Sequence, residues 1–185
     1  MLITGCVVTS VYPFYTEADL TFDPALLGTF GKPGASTNDL WIFERDKKDV
    51  YRLTTHDGDK TRATQARLFK LGGQLFLDCC ATQTAEDIEP EPVPTHLVMR
   101  VQQVTPTLKL SIMKNDWLKE LLDKQPKAVR HIVTRTGEGL GDQRIVLTAD
   151  TAELQQFLLK HVNTKEAWTE DDEGLTRVTP QTTSK

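Results

Sequence analysis

The residues of this 185-residue chain that could do covalent or metal chemistry are few: Cys6, Cys79, Cys80, His56, His96, His131 and His161. Neighbouring side chains on a strand point to opposite faces, so Cys79 and Cys80 cannot bridge each other without strain. Three thiols cannot all pair within one chain, which excludes a disulfide framework. A zinc or redox centre would need a second cysteine pair or a C-x-x-C, and neither is present. Cys79 and Cys80 are expected to be small, mostly buried apolar side chains. No histidine stands at ligand spacing from a Cys, Asp or Glu. His161 falls at the end of an expected helix, where the dipole favours a cation. No G-x-S-x-G motif supplies a nucleophile. GEGLGDQ (137–143) is not a phosphate-binding G-x-G-x-x-G and has no P-loop lysine. EDIEPEP (86–92) lacks the alternation of a calcium loop and reads as a solvated loop. The chemistry-bearing residues therefore predict no metal, no cofactor and no enzyme. Cys6 stands apart, close to the start and directly behind Ile3-Thr4-Gly5, an aliphatic residue, a small one and a glycine.

The elements around these residues belong to one domain, the size that 185 residues can bury well. Hydrophobic residues at 38% and charged residues at 26% are ordinary for a globular chain. A net charge of −4, with no basic face interleaved by aromatics, argues against nucleic acid. No apolar run approaches the roughly 18 residues that cross a bilayer.

Residues 7–22 are rich in Tyr and Phe without a clear period, and read as a tether lying against something. Asp23 and Pro24 suit the cap and first position of a single helical turn to Leu27, which Gly28 would break. Four strands follow: 39–45, 49–55, 61–71 and 74–80. His56-Asp57-Gly58-Asp59 and Gly72-Gly73 are the turns between the last three. Strands joined by such short turns must run antiparallel. After the acidic, proline-bearing loop 82–94 come strands at 96–104 and 107–113, the latter with Leu108, Leu110 and Ile112 inward and Lys109 and Ser111 outward. A helix then begins, capped by Asn115 or Asp116, with Trp117, Leu118, Leu121 and Leu122 as its apolar stripe and Pro126 ending it. A strand at 144–148 precedes a helix over 150–162. Its Asp150 and Glu153 form a capping-box pattern, and Leu154, Phe157, Leu158 and His161 share a face. The polar tail after Trp168 reads as disordered.

Ile3-Thr4-Gly5-Cys6 resembles the lipobox of bacterial lipoproteins. The resemblance implies that Cys6 takes a diacylglyceryl group as a thioether, that a peptidase cuts before it, and that an N-acyl chain of the palmitate class is added. One myristoyl-length chain holds a protein to a membrane only marginally, whereas two or three anchor it stably. A secretory signal needs a basic region and some 7–15 apolar residues before the cleavage site. Only Met-Leu-Ile-Thr-Gly precedes Cys6, so most of a signal is expected to be missing from the start as written. The alternative is a buried free cysteine in an N-terminal strand ITGCVVTSV.

From TGC through VYPFYTEADLTFDPALLG, and on through LFKLGGQLFLD, RIVLT and ELQQFLLKH, the chain resembles a group of uncharacterised bacterial lipoproteins. That group implies an envelope location and no activity. A second resemblance is to lipocalins, which open with a short helical turn and G-x-W at the head of the first barrel strand. Here Gly28-Thr29-Phe30 stands in that place. The expected fold is mainly β (α+β), an antiparallel meander forming a lipocalin-like barrel or half-barrel with two accessory helices. Its divisions are a signal remnant at 1–5, a lipid-anchor tether at 6–22, one β-rich domain at 23–168 and a disordered tail at 169–185. Trp41, Phe43, Leu53, Leu68, Leu75, Leu77, Met99 and Val101 would line the cup, which either fills with side chains or encloses a small apolar ligand.

The reading that results is a lipid-anchored envelope protein, in the outer membrane if the host has two membranes. It would bind an apolar ligand or an envelope partner and hold to the membrane through Cys6. The rivals are a small enzyme using the cup as its active site, and a cytosolic binding protein starting at Met1.

Overall fold

Turn residues set the centre of the fold. The structure, a computed structural model, describes residues 7–34, 39–81, 95–135 and 143–178. Its strands are β1 (Thr9–Ser10), β2 (Leu20–Thr21), β3 (Gly28–Gly31), β4 (Leu40–Lys47), β5 (Val50–Asp57) and β6 (Lys60–Leu71). They continue with β7 (Gln74–Ala81), β8 (His96–Gln103), β9 (Lys109–Ile112), β10 (His131–Arg135), β11 (Gln143–Leu147) and β12 (Thr176–Arg177). Two helices, α1 (Asn115–Lys124) and α2 (Thr151–His161), complete the framework. The hairpins from β4 to β7 form as the sequence predicts. Gly58, Gly72 and Gly73 take the positive φ that tight hairpin turns require. At the β6–β7 turn a glycine is needed twice over. Gly72 has φ 56°, and a Cβ there would lie 2.4 Å from Leu159 Cδ2 of α2.

All the described strands join one sheet in the order β10-β11-β1-β8-β7-β6-β5-β4-β3-β12, with β2 on β6 and β9 on β8. The architecture is β-rich α+β, and the path is open, ending at β10 and β12. Two long strands change partner partway. β6 pairs with β5 over its first half and then with β2. β8 pairs with β1 at His96 and Leu97, then with β9. The meander is not wholly antiparallel, because β1 lies parallel to β11, with Thr9 against Val146.

Each face of this sheet carries its own core. The inner one holds Phe30, Phe43, Tyr51, Leu53, Leu68, Leu77, Met99 and Leu108. The outer one is covered by the helices and by both ends of the described chain: Val8, Phe14, Phe69, Phe76, Leu118, Leu154, Phe157 and Trp168. Burying an aliphatic or aromatic side chain of this size is worth about 1.5–3 kcal/mol, so neither core is incidental.

Several expectations need correcting. Residues 7–22 lie against the rest of the molecule, as the expected tether would, but do more than tether. They contribute β1, a 3₁₀ turn at Glu17–Asp19 and β2, and Phe14 is fully buried. The described part of the tail, residues 169–178, is ordered, because Leu175 is held by Leu108 just before β9, and Arg177 by β3 and by the carbonyls of Ala25 and Leu27. Leu175 and Leu108 exchange backbone hydrogen bonds of 2.8 and 2.9 Å, and β12 pairs with β3. Ser111 is fully buried, since the helix layer covers the face that a two-sided strand would give to water. The N-cap of α1 is Lys114, with no side-chain cap.

β10 was not anticipated at all. It is positioned by Arg130, whose carbonyl accepts from Thr148 N at 2.8 Å and whose side chain binds Glu153 and Asp150, each at 2.6 Å. Glu153 is thereby diverted from the expected capping box, while Asp150 still caps α2 by accepting from Glu153 N at 3.0 Å. Residues 1–6 with Cys6, the loop 82–94 and residues 136–142 lie outside the described residues.

Candidate functional site

The eight side chains expected to line a cup do converge. Phe43, Leu53, Leu68, Leu77, Met99 and Val101 are buried in the inner core, and Trp41 and Leu75 pack against it. What they surround is other side chains. Phe22 stacks on Tyr51 at 4.6 Å, Tyr51 meets Phe43 edge-on at 6.3 Å, and Phe43 meets Phe30 edge-on at 6.0 Å. Such offset and edge-on contacts are the favoured aromatic geometries. The Tyr51 hydroxyl accepts from Asp23 N at 2.7 Å and donates to Asp23 O at 3.1 Å. Burial pushes its pKa up to about 12. That phenol ties the floor of the inner core to the 3₁₀ turn Pro24–Leu26, where Asp23 Oδ1 accepts from Ala25 N as the sequence predicts.

Arg177 caps the same end. Its guanidinium lies 4.9 Å from the centre of the Phe30 ring and donates to Leu27 O at 2.7 Å and Ala25 O at 2.8 Å. Gly28, at φ 130°, makes this possible. A Cβ there would stand 2.3 Å from Arg177 Nη1. In Gly28-Thr29-Phe30 the glycine thus makes room for a cation and the phenylalanine serves as its platform.

The best-formed concavities among the described residues lie elsewhere. One, of about 530 Å³, is lined by Pro126, Lys127, Val129, Arg130, His131 and Thr148. The other, of about 100 Å³, is lined by Asn115, Lys119, Leu122, Asp123, His131, Val133 and Ile145. Both are open to the surface, on the side of α1 and β10, and neither touches the eight expected lining residues.

The outer face carries a polar cluster that the sequence reading missed. Asp78 is 1% exposed. One carboxylate oxygen accepts from His96 at 2.7 Å, and the other from the backbone N–H of Phe14 at 3.0 Å. Cys80 stands directly across from His96, and Arg67 directly across from Asp78. Burial raises the Cys80 thiol pKa, with Asp78 adding to the rise and Arg67 opposing it. Burial lifts that of Cys79, on the opposite face, well above its ordinary value. A thiol held protonated in this way is a poor nucleophile. The cluster binds chain to chain, and Asp78 is its centre. Its signal was available, since an acid in the middle of QLFLDCC has to be satisfied internally if the strand is buried on both faces.

His161 departs from its expected role. It is 8% exposed, in contact with Trp117 at 5.0 Å and Phe157 at 4.8 Å between ring centres. Burial, with Lys160 adding to it, lowers its pKa, so the neutral ring is favoured rather than a cation answering the helix dipole. His56 and His131 bond only to nearby groups, Thr61 Oγ1 and Val129 O. No group of three or more His, Cys, Asp or Glu side chains that could hold a metal occurs among the described residues. No described helix is long and apolar enough to cross a membrane.

The N-terminal segment is held along its whole described length. Val7 bridges to Lys114, Val8 is 1% exposed, and Val11 N donates to Leu147 O at 2.9 Å. Thr151 Oγ1 donates to Pro13 O at 2.8 Å, and Gln155 Nε2 to Asp19 at 2.8 Å. Compared with protein-family models, with curated proteins and with solved structures, the chain matches none.

Proposed function

We propose that this protein is a lipid-anchored component of the bacterial cell envelope, in the outer membrane of a two-membrane host, and that its domain binds an envelope partner through its surface. The anchor is assigned to Cys6 on the resemblance of Ile3-Thr4-Gly5-Cys6 to a lipobox. The observation that carries the surface-binding half is the filled interior. The side chains that could have lined a ligand cavity are packed on one another around Tyr51. An apolar ligand would have to displace several aromatic contacts to enter.

The fold is read as lipocalin-like. A turn, then Gly28-Thr29-Phe30, then the meander β3 to β9 follow in the order that likeness requires. Support for a closed cup comes from residues 168–177, which span the gap between β9 and β3. Beyond the Leu108–Leu175 pair, Leu110 N donates to Asp171 Oδ2 and Ile112 N to Thr169 Oγ1, each at 3.0 Å.

The test is mass spectrometry of the protein purified from the membranes of its own host. The expected result is a mature N-terminus at Cys6 carrying thioether-linked diacylglycerol, and a Cys6→Ser variant released from the membrane fraction. An intact Cys6 thiol overturns the anchor. Native mass spectrometry of the same protein showing a co-purified apolar molecule in the folded domain overturns surface binding in favour of a ligand container.

A further inference from the structure

We infer that the anchor holds one defined face of the domain against the bilayer, the face formed by the start of β1, Lys114, Arg144, the turn Lys165–Ala167 and the β10 edge, with its cations at the level of anionic headgroups. The inference rests on the reading of Cys6 as the lipidated residue.

It follows from how closely the N-terminal segment is held. A flexible segment over 6–22 would have given the domain a reach of roughly 50 Å, at about 3.3 Å per extended residue. Instead, backbone pairing begins at Val7, the residue bonded to Cys6, with Val7 bridged to Lys114 and Val8 buried. Successive Cα atoms are about 3.8 Å apart, so a lipid on Cys6 leaves the domain no slack to turn over.

The surroundings of that exit are set by register. β1 runs parallel to β11 with Thr9 against Val146, which brings Arg144 level with Val7. On the other side Lys114 N donates to Ala167 O at 2.8 Å, placing the Lys165–Ala167 turn alongside. Lys114, Arg144 and Lys165 are exposed and make no ion pair among the described residues, although Asp116 and Glu166 adjoin them in sequence. β10 adds half-exposed Ile132, which pairs with Val146 and so shares the sheet face of Val7 and Arg144, an arrangement suited to an interface where cations meet phosphates and apolar groups meet acyl chains. Through β8 and β7, Val7 stands level with Leu68 of β6, so the turn at Gly58-Asp59 lies about nine residues farther along β6, roughly 30 Å away at about 3.4 Å per residue.

The test couples Cys6 of the full chain, in a Cys80→Ser background, to a maleimide phospholipid in vesicles containing phosphatidylglycerol. A photo-crosslinking residue replaces either Ile132 or Asp59. The expected result is at least about tenfold more lipid crosslinking from position 132. Equal yields, or more from position 59, overturn the orientation. A 132-to-59 ratio unchanged when phosphatidylcholine replaces phosphatidylglycerol overturns the headgroup contact. Because the lipid is attached chemically, the experiment reads the orientation even if native Cys6 proves unmodified, so the two readings fail separately.

Discussion

The two faces of the sheet are built by different means. The inner core is drawn largely from residues 26–108, along hairpins that bring neighbouring segments together, and the Tyr51 hydroxyl ties its floor to Asp23. The outer core gathers Val8 and Phe14 from one end of the described chain and residues 113–168 from the other. It also buries Asp78, Ser111 and His161. A core closed by local pairing can be almost wholly apolar. One assembled from distant segments needs directional bonds to fix which segment goes where, and Asp78 binding Phe14 N across 64 residues is such a bond.

The sharpest way to break this comparison is to hollow out each core in turn. Phe43→Ala in the inner core and Phe157→Ala in the outer should each cost about 3–5 kcal/mol in denaturant unfolding. A single shared transition followed by fluorescence and circular dichroism would make the cores one cooperative unit. Two separated transitions after Phe157→Ala would make the outer layer an independent cover. Next is Asp78→Ala, which removes the partner of half-buried His96 and of the buried Phe14 amide and should cost about 3 kcal/mol. Its diagnostic effect is local. Hydrogen exchange at Phe14 and along β1 should accelerate before the β4–β7 amides respond, and uniform acceleration would deny that Asp78 is a stitch between segments.

Tyr51→Phe should cost about 1–2 kcal/mol at neutral pH. It should also remove an alkaline instability. An unfolded tyrosine ionises near pH 10 and folded Tyr51 near about 12, so the unfolded chain loses its proton first and stability falls between those values. At the acid end His161 acts in the other direction of pH. Its folded pKa is lowered, so the unfolded state takes up a proton first, and stability should drop as pH falls through about 6.5. Unfolding midpoints from pH 5 to 8 check this, and a His161→Phe variant should lose part of that dependence. The smallest effect is expected at Ser111, whose buried hydroxyl has no hydrogen-bond partner among the described residues. Ser111→Ala should raise stability by about 0.5–1 kcal/mol, and a loss would show that the hydroxyl is bonded after all.

The same contrast governs what could be read from the chain alone. β4 to β7 were legible because alternation and glycine turns are local features, present in the residues that use them. The α2 stripe Leu154, Phe157, Leu158 and His161 was legible for the same reason. β1 and β12 are two residues each and exist only because β8, β11 and β3 offer edges to them. The stretch TEDDEGLTRVT was read as disordered from its polarity, yet its Asp171, Leu175 and Arg177 are what β9, β3 and the first turn require. β10 was missed because HIVTR sits at the sheet edge, where half-exposed Ile132 and Val133 blur the alternation. Of the candidate site, the convergence of the eight apolar residues was legible. That they fill the space rather than line it depends on Phe22 and Tyr51 reaching the same centre. The Asp78–His96–Phe14 cluster joins three stretches of chain that no spacing rule connects.

The Arg177 clasp also bears on timing. A ribosome releases residue 28 long before residue 177, so Gly28-Thr29-Phe30 must wait for its guanidinium, and the edges of β3 and β9 stay open, until residue 177 has emerged. Locking by the clasp therefore cannot begin on the first half of the chain. Removing the last ten or so residues should leave a nascent-like chain with unsealed edges, prone to pair with its neighbours.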